Sequence, residues 1–250
     1  LQSFVNTAGV AKRDNVIDVS LLEFCVRDHL NQVAPRIMAV LDPIKLTIKN
    51  YPEGEDETLM GENNPEDESA GTREIPFSRD LYIEREDFRE EANRKFFRLT
   101  LGKEVRLKNA YIIKGEEVIK DDAGNVLEII CSYDPLSKSG LGTEESQRKV
   151  KGTLHWVSRI HSKSISVNLY DRLFSVPEPD KNKDEDPSIY INPNSLKTIQ
   201  GFIEPNLGNT NSGTHFQFQR LGYFIVDTES SDQNLIFNKT VGLRDTWQKK

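Results

Sequence analysis

Arginines, lysines and aromatic residues crowd the middle of this chain. Between Arg85 and Lys120 lie Arg89, Arg94, Lys95, Arg98, Lys103, Arg106, Lys108 and Lys114, with Phe88, Phe96, Phe97 and Tyr111 among them. Basic groups neutralise phosphates, while aromatic faces and guanidinium planes stack on unpaired bases. A second basic group, Arg148-Lys149 with Lys151, precedes Thr153-Leu154-His155-Trp156. A third places Arg220 beside Gln217 and Gln219, side chains that can read base edges through paired donors and acceptors. The same interleaving of Arg and Glu would also suit a solvated face with weak salt bridges.

Catalytic chemistry finds less support. No Gly-x-Gly-x-x-Gly, P-loop or Gly-x-Ser-x-Gly elbow is present. His29, His155, His161 and His215 lack metal-ligand spacing and read as packing or surface histidines. Cys25 and Cys131 stand apart in apolar surroundings and read as inert thiols. On its residues the chain is a binding module, with no catalytic residue and no metal ligand expected.

The elements that would carry these residues are mostly strands. Residues 1–33 read as helical, with Asp18 and Ser20 as N-cap candidates and Pro35 as the stop. From Arg36 the pattern turns to short β-type runs: 36–41, 44–48, 81–83, 104–108, 110–114, 118–120, 126–133, 150–157, 165–169, 216–220, 223–227 and 238–243. Residues 53–68 are acidic and read as a loop, as do 177–188. Arg85–Arg98 reads as a short charged helix with Phe88, Ala92 and Phe96 on one face. No internal repeat is visible. About a dozen strands exceed one small barrel, so the expected fold is mainly β, two β-barrels behind a short helical segment.

Composition bounds this reading. The chain has 250 residues, Lys+Arg 33 against Asp+Glu 40, and a formal net charge of -7. That balance argues against nucleic-acid binding by bulk charge. No apolar run nears the ~18 residues of a spanning helix, and two cysteines preclude a disulfide framework. No membrane association is expected, and a reduced cytoplasm fits. The chain opens on Leu1-Gln2-Ser3-Phe4 and reads as a piece cut from a longer protein.

Longer strings carry a family resemblance. APRIMAVLDP (34–43), Arg85–Arg98 with LGKEVRLKNAY (101–111), RKVKGTLHWVS (148–158), YDRLFSV (170–176), FQFQRLGYF (216–224) and FNKTVGLRDTW (237–247) resemble the C-terminal part of bacterial-type glutaminyl-tRNA synthetase, in order along essentially the whole chain. The resemblance implies a class I aminoacyl-tRNA synthetase parent that uses ATP with magnesium to attach glutamine to tRNA in translation. This piece would supply two anticodon-binding barrels of the kind also found in a ribosomal protein. It would need no cofactor and would be inactive alone, since signatures of the HIGH and KMSKS type are absent. Its expected partners are the anticodon stem-loop of tRNA(Gln) and the upstream catalytic domain of the same chain, with the protein a monomer. The implied division is a helical connector at 1–33, one barrel from 34–97 with 195–250, and a second from 98–194.

The resemblance also assigns residues. Arg36 and Gln217 match positions around the central uridine of the anticodon, Arg98 the arginine at the third base, and Arg106 the one at the first. Asn31 and Arg220 match further tRNA contacts, and Lys108 replaces an arginine. Gln219 stands where relatives often carry Glu, and Phe97 where they carry a basic residue. Trp156 reads as core. Two alternatives stay open: the anticodon domain of an archaeal or eukaryotic-type glutamyl-tRNA synthetase, and an RNA-binding barrel module outside the synthetases.

Overall fold

The computed structural model describes residues 1–9, 12 and 16–244. In chain order the helices are α1 (Gln2–Ala8), α2 (Val19–Val33) and, much later, α3 (Glu144–Gln147). The strands are β1 (Arg36–Ile37), β2 (Ala39–Val40), β3 (Pro43–Ile48), β4 (Asp56–Glu62), β5 (Thr72–Ser78), β6 (Asp80–Glu84), β7 (Glu104–Leu107) and β8 (Ile112–Lys120). They continue with β9 (Val126–Tyr133), β10 (Thr153–Leu154), β11 (Val157–Ser158), β12 (Lys163–Tyr170), β13 (Leu196–Ile203), β14 (His215–Phe218), β15 (Gly222–Val226) and β16 (Leu235–Val241). The mainly β fold expected from the sequence is present.

Two curved seven-stranded sheets make up the body. One runs β10-β7-β8-β9-β3-β6-β11, the other β1-β14-β15-β16-β12-β13-β2. The β4–β5 hairpin lays Leu59, Ile75 and Phe77 against the core of the first. Each sheet is brought toward closure by one extended segment that pairs with both edges, which removes strand edges open to other chains. In the first sheet residues 153–154 run parallel to β7, and residues 157–158 then pair antiparallel with β6. In the second, residues 36–37 run parallel to β14 and residues 39–40 pair with β13. At the crossing, Met38 in one segment and His155-Trp156 in the other are buried. This geometry explains why the runs 36–41 and 150–157, expected as single strands, are each divided.

The strand-and-turn units beside these segments match residue for residue. Arg106 N and Lys108 N donate to Gly152 O and Leu154 O, each at 2.9 Å. Gln217 N and Gln219 N donate to Pro35 O (2.8 Å) and Ile37 O (2.9 Å). The turns that follow place Asn109 at φ 58 and Arg220 at φ 69, the only two non-glycine residues with positive φ among those described. Left-handed backbone disfavours L side chains, so its recurrence at matching positions marks a duplicated hairpin. A repeat invisible in the residues is therefore present in the backbone.

Two expectations need correction, and the sheets also cut across the implied domain division. The strands 43–48 and 80–84 pair with 126–133 and 157–158, not with 195–250, so sheet membership departs from the division at 97/98 and 194/195. One sheet draws on 43–158, and the chain before and after that stretch builds the other. The acidic stretch 53–68 contains β4, whose Leu59 and Gly61 face inward; Asp56 and Glu62 are exposed, while Glu57 is half-buried and accepts from Tyr111 Oη. Arg85–Arg98 is not a helix: a 3-10 turn, Arg85–Asp87, gives way to extended chain as Phe88 bridges to Leu99. Burial of the Asp87 side chain and of Phe88 outweighs the helical spacing there. In addition, 110–120 is one strand from Ile112 with a bulge after Gly115, and β13 was absent from the sequence reading.

The helices dock on the second sheet. Asp18 Oδ1 caps α2 by accepting from Ser20 N at 2.8 Å. Leu30 and Ala34 then pack on Tyr223 and Val241. Arg27 Nε donates to Gly242 O at 2.8 Å. The string ending at Trp247 lies partly outside the described residues.

Candidate nucleic-acid interface

The matched hairpins face one another across a cavity of about 460 Å³. Asn31, Arg36, Lys108, Gln217 and Arg220 line it together with Asn109, Thr153, Gln219, Pro65, Glu62 and Glu66. Residues from α2, both closing segments and both left-handed turns thus meet in one place. Asn109, Thr153 and the acids Glu62 and Glu66 were not singled out from sequence. The equal hydrogen-bond register of the hairpins places Asn109 opposite Arg220, a relation that spacing alone cannot show.

At the back of the cavity the polar groups form a chain. Arg36, 5% exposed, donates from Nη1 to Ala34 O (2.8 Å) and from Nη2 to Asn31 O (2.6 Å) and Oδ1 (2.9 Å). Tyr223 Oη donates to Asn31 Oδ1 (3.1 Å) and accepts from Gln217 Nε2 (2.7 Å). Burial pulls the Arg36 pKa below its ordinary value, while Tyr223 and Glu66 act in the other direction. Gln217 Oε1 accepts no hydrogen bond among the described residues, so the amide keeps an acceptor and its second N–H for a ligand. An adjacent donor and acceptor on one planar group suit a base edge.

Arg220 reaches from the cavity floor into the seam between the sheets. Its Nη1 and Nη2 donate to Asp87 Oδ2 (2.5 Å) and Oδ1 (2.6 Å). Nη1 also lies 3.2 Å from His155 Nδ1, which must accept because guanidinium only donates. Burial works against the charge of Arg220, but Asp87, with Glu86 and Glu84, more than offsets it and raises the pKa. His155 Nε2 faces Glu84 Oε1 at 3.6 Å.

The other expected residues are placed differently. Arg98 lies outside the first cavity and borders two others, of about 570 and 300 Å³. Its Nε is 3.2 Å from Asp87 Oδ1 and its Nη1 3.2 Å from Glu86 Oε1. Around the smaller cavity Arg94, Lys103 and Lys151 surround Phe96 and Phe97, and Phe97 is 51% exposed. Lys151 Nζ sits 5.5 Å from the Phe97 ring. Arg106 is committed to its own barrel, donating to Ser137 O (2.9 Å), Ser139 Oγ (3.2 Å) and Ser146 O (2.8 Å). Burial, then the nearby Arg148, lowers its pKa. Trp156 is fully buried and donates from Nε1 to Lys108 O at 2.9 Å, which fixes the strand leading into the cavity.

Among the described residues no three His, Cys, Asp or Glu side chains are placed to hold a metal ion. None of the described helices is long and apolar enough to cross a membrane. Cys131 is buried, and burial pushes its thiol pKa up, away from reactivity.

Two nested barrels joined at a basic, amide-bearing cavity define a nucleic-acid-binding module. Residues 34–134 match one family model of the anticodon-binding domain of class I (E and Q) tRNA synthetases, and 153–227 match a second model of the same description. The chain belongs to this anticodon-binding family. Over 250 residues it is 56% identical to a glutamine–tRNA ligase of Rhodopirellula baltica, covering all of this chain and 41% of that protein. It is 53% identical over 248 residues to that of Alteromonas mediterranea, covering 98% and 44%. With the ligase of an Enterobacter species it shares 50% over 252 residues, covering 100% and 44%. The chain therefore spans less than half the length of these curated relatives.

Proposed function

We propose that this chain reads the anticodon of tRNA(Gln) on behalf of a glutamine–tRNA ligase. The carrying observation is the convergence of Asn31, Arg36, Lys108, Gln217 and Arg220 on one cavity. In this reading the central uridine enters that cavity. The free acceptor of Gln217 meets the N3–H of the base, and its remaining N–H meets a flanking carbonyl. Arg36, held by Asn31 and Ala34, stiffens the wall on which Gln217 and Tyr223 stand. The third base meets Arg98 beside the exposed Phe97 ring. Lys108 and Lys151 grip phosphates.

Arg106 serves the first base. Its three carbonyl and hydroxyl contacts hold it in place, and any base contact uses the guanidinium donors those contacts leave over. Glutamine attachment, with ATP and magnesium, belongs to the part of the relatives' length that this chain does not span. That catalytic part is its partner, and the cytoplasm is where the reaction runs. The shared name of the relatives favours glutamine over glutamate.

Binding of fluorescent anticodon stem-loops tests this. The tRNA(Gln) loop should bind at least tenfold more tightly than loops changed at the central base. Equal binding of all loops would refute the proposal.

A further inference from the structure

The Asp87 carboxylate is fully buried and shared by two arginines: Arg220 also lines the cavity of about 460 Å³ and Arg98 the one of about 300 Å³, and both border the cavity of about 570 Å³. It lies within 2.5 and 2.6 Å of the Arg220 guanidinium and 3.2 Å of Arg98 Nε. Arg220 comes from one barrel and Asp87 from the other, while Arg98 ends the irregular segment between β6 and β7. A buried charge is retained only if it is paired and hydrogen-bonded, so the position of each arginine depends on Asp87. A second acid, Glu86, lies 3.2 Å from Arg98 Nη1, so the two guanidiniums are charge-compensated where they stand. Arg98 Nη2 and Arg220 Nε make no hydrogen bond among the described residues and remain available to a ligand. Arg220 keeps a left-handed backbone (φ 69) in the turn that aims it at Asp87.

We propose that Asp87 is a positioning residue that joins Arg98 and Arg220 into one unit, so that the third and central anticodon bases are read cooperatively. The inference rests on the function proposed above, in which both arginines face RNA. When RNA orders one arginine, the shared carboxylate is fixed as well, and the second arginine is ordered at smaller entropic cost. Loss of one base contact accordingly weakens the other.

The test is a double-substitution cycle in the RNA. Affinities of this chain are measured for the tRNA(Gln) stem-loop, for loops changed at the central or the third base, and for a loop changed at both. The combined penalty should fall short of the product of the single penalties by about fivefold or more. In Asp87→Asn, which keeps the shape but removes the charge, the penalties should multiply to within about twofold. A merely structural Asp87 would lower affinity for every loop and leave the coupling unchanged. Independent penalties in the unmodified protein overturn the inference, as does coupling that survives in a folded Asp87→Asn protein. If that variant fails to fold, Arg98→Lys, which keeps the charge but loses the Nε contact, takes its place with the same two outcomes. Failure of the unmodified protein to prefer the tRNA(Gln) loop would refute the proposed function and this inference together. A preference with independent penalties would refute this inference alone.

Discussion

Gln217, proposed to meet the central base, shows how little of such a role is visible in a residue's type. One amide proton is spent on Tyr223 at 2.7 Å, which orients the group and leaves its acceptor toward the cavity. Gln217→Ala should therefore weaken binding of the tRNA(Gln) loop by about 1–3 kcal/mol, roughly 5- to 150-fold. It should barely change binding of a loop already altered at the central base, and fluorescence anisotropy with both loops measures the difference. Gln217 and Arg220 stand out in the sequence because their chemistry suits base edges, and Arg36 only through the family resemblance. Asp87 and His155 do not, because an acid in a charged run and an isolated histidine look like ordinary surface residues. Both are buried in contact with Arg220, a placement that belongs to the folded seam. Arg106 illustrates the reverse case: a residue type that suits RNA is largely committed to three contacts within its own barrel.

At the scale of elements, the closing segments set the cavity. Gly152 leads into β10, and a Cβ there would lie 2.3 Å from Phe97 O. Gly152→Ala must displace backbone, so thermal unfolding should show a loss of about 1–3 kcal/mol. The groove around Phe97 should widen with it. The docking of α2 on β14 carries a pH signature. Burial first, and then the charge of His29, lower the pKa of His215 below its ordinary 6.5, against a weaker pull from a backbone bond at Gly213. The unfolded chain then binds the proton more readily than the folded one, so stability rises with pH across this window. The contribution is complete above about 6.5 and is lost as pH falls toward the folded value. His215→Gln should flatten that part of the melting-temperature profile between about pH 7.5 and 5.5. Alternating apolar runs made β3, β6, β9 and β12 legible in the sequence, since each buries one face. The division of 36–41 and of 150–157 into two-residue strands was not, because the limits of β1, β2, β10 and β11 are set by which edge the segment pairs with. The acidic β4 was hidden by its outward face, and the segment after Asp87 by a helical spacing that tertiary burial overrides.

Across the whole molecule, two buried charge clusters fasten the barrels to each other. Arg73 Nη2 and Met38 N both donate to Glu204 Oε1 at 2.7 Å, and Oε2 is buried without a partner. Burial pushes the Glu204 carboxyl pKa up, against the pull of Arg73. Glu204→Ala would strand a buried guanidinium and the Met38 amide, so denaturant unfolding should show a loss of about 3–5 kcal/mol. The net charge of -7 gains a different meaning from this architecture. Glu62 and Glu66 flank the cavity itself, and acids crowd the 177–188 loop, while the cations lining the cavity are Arg36, Lys108 and Arg220. Non-specific RNA is repelled overall, and recognition falls to a handful of placed groups. With on the order of three phosphates neutralised, log affinity for the cognate loop should fall against log salt with a slope of about -2. A protein binding by bulk charge would show a much steeper slope and little discrimination at low salt. Titration of cognate and altered loops across salt concentrations distinguishes the two. A shallow slope with the preference between loops preserved is the outcome expected of an acidic protein that reads bases through a few buried, mutually braced side chains.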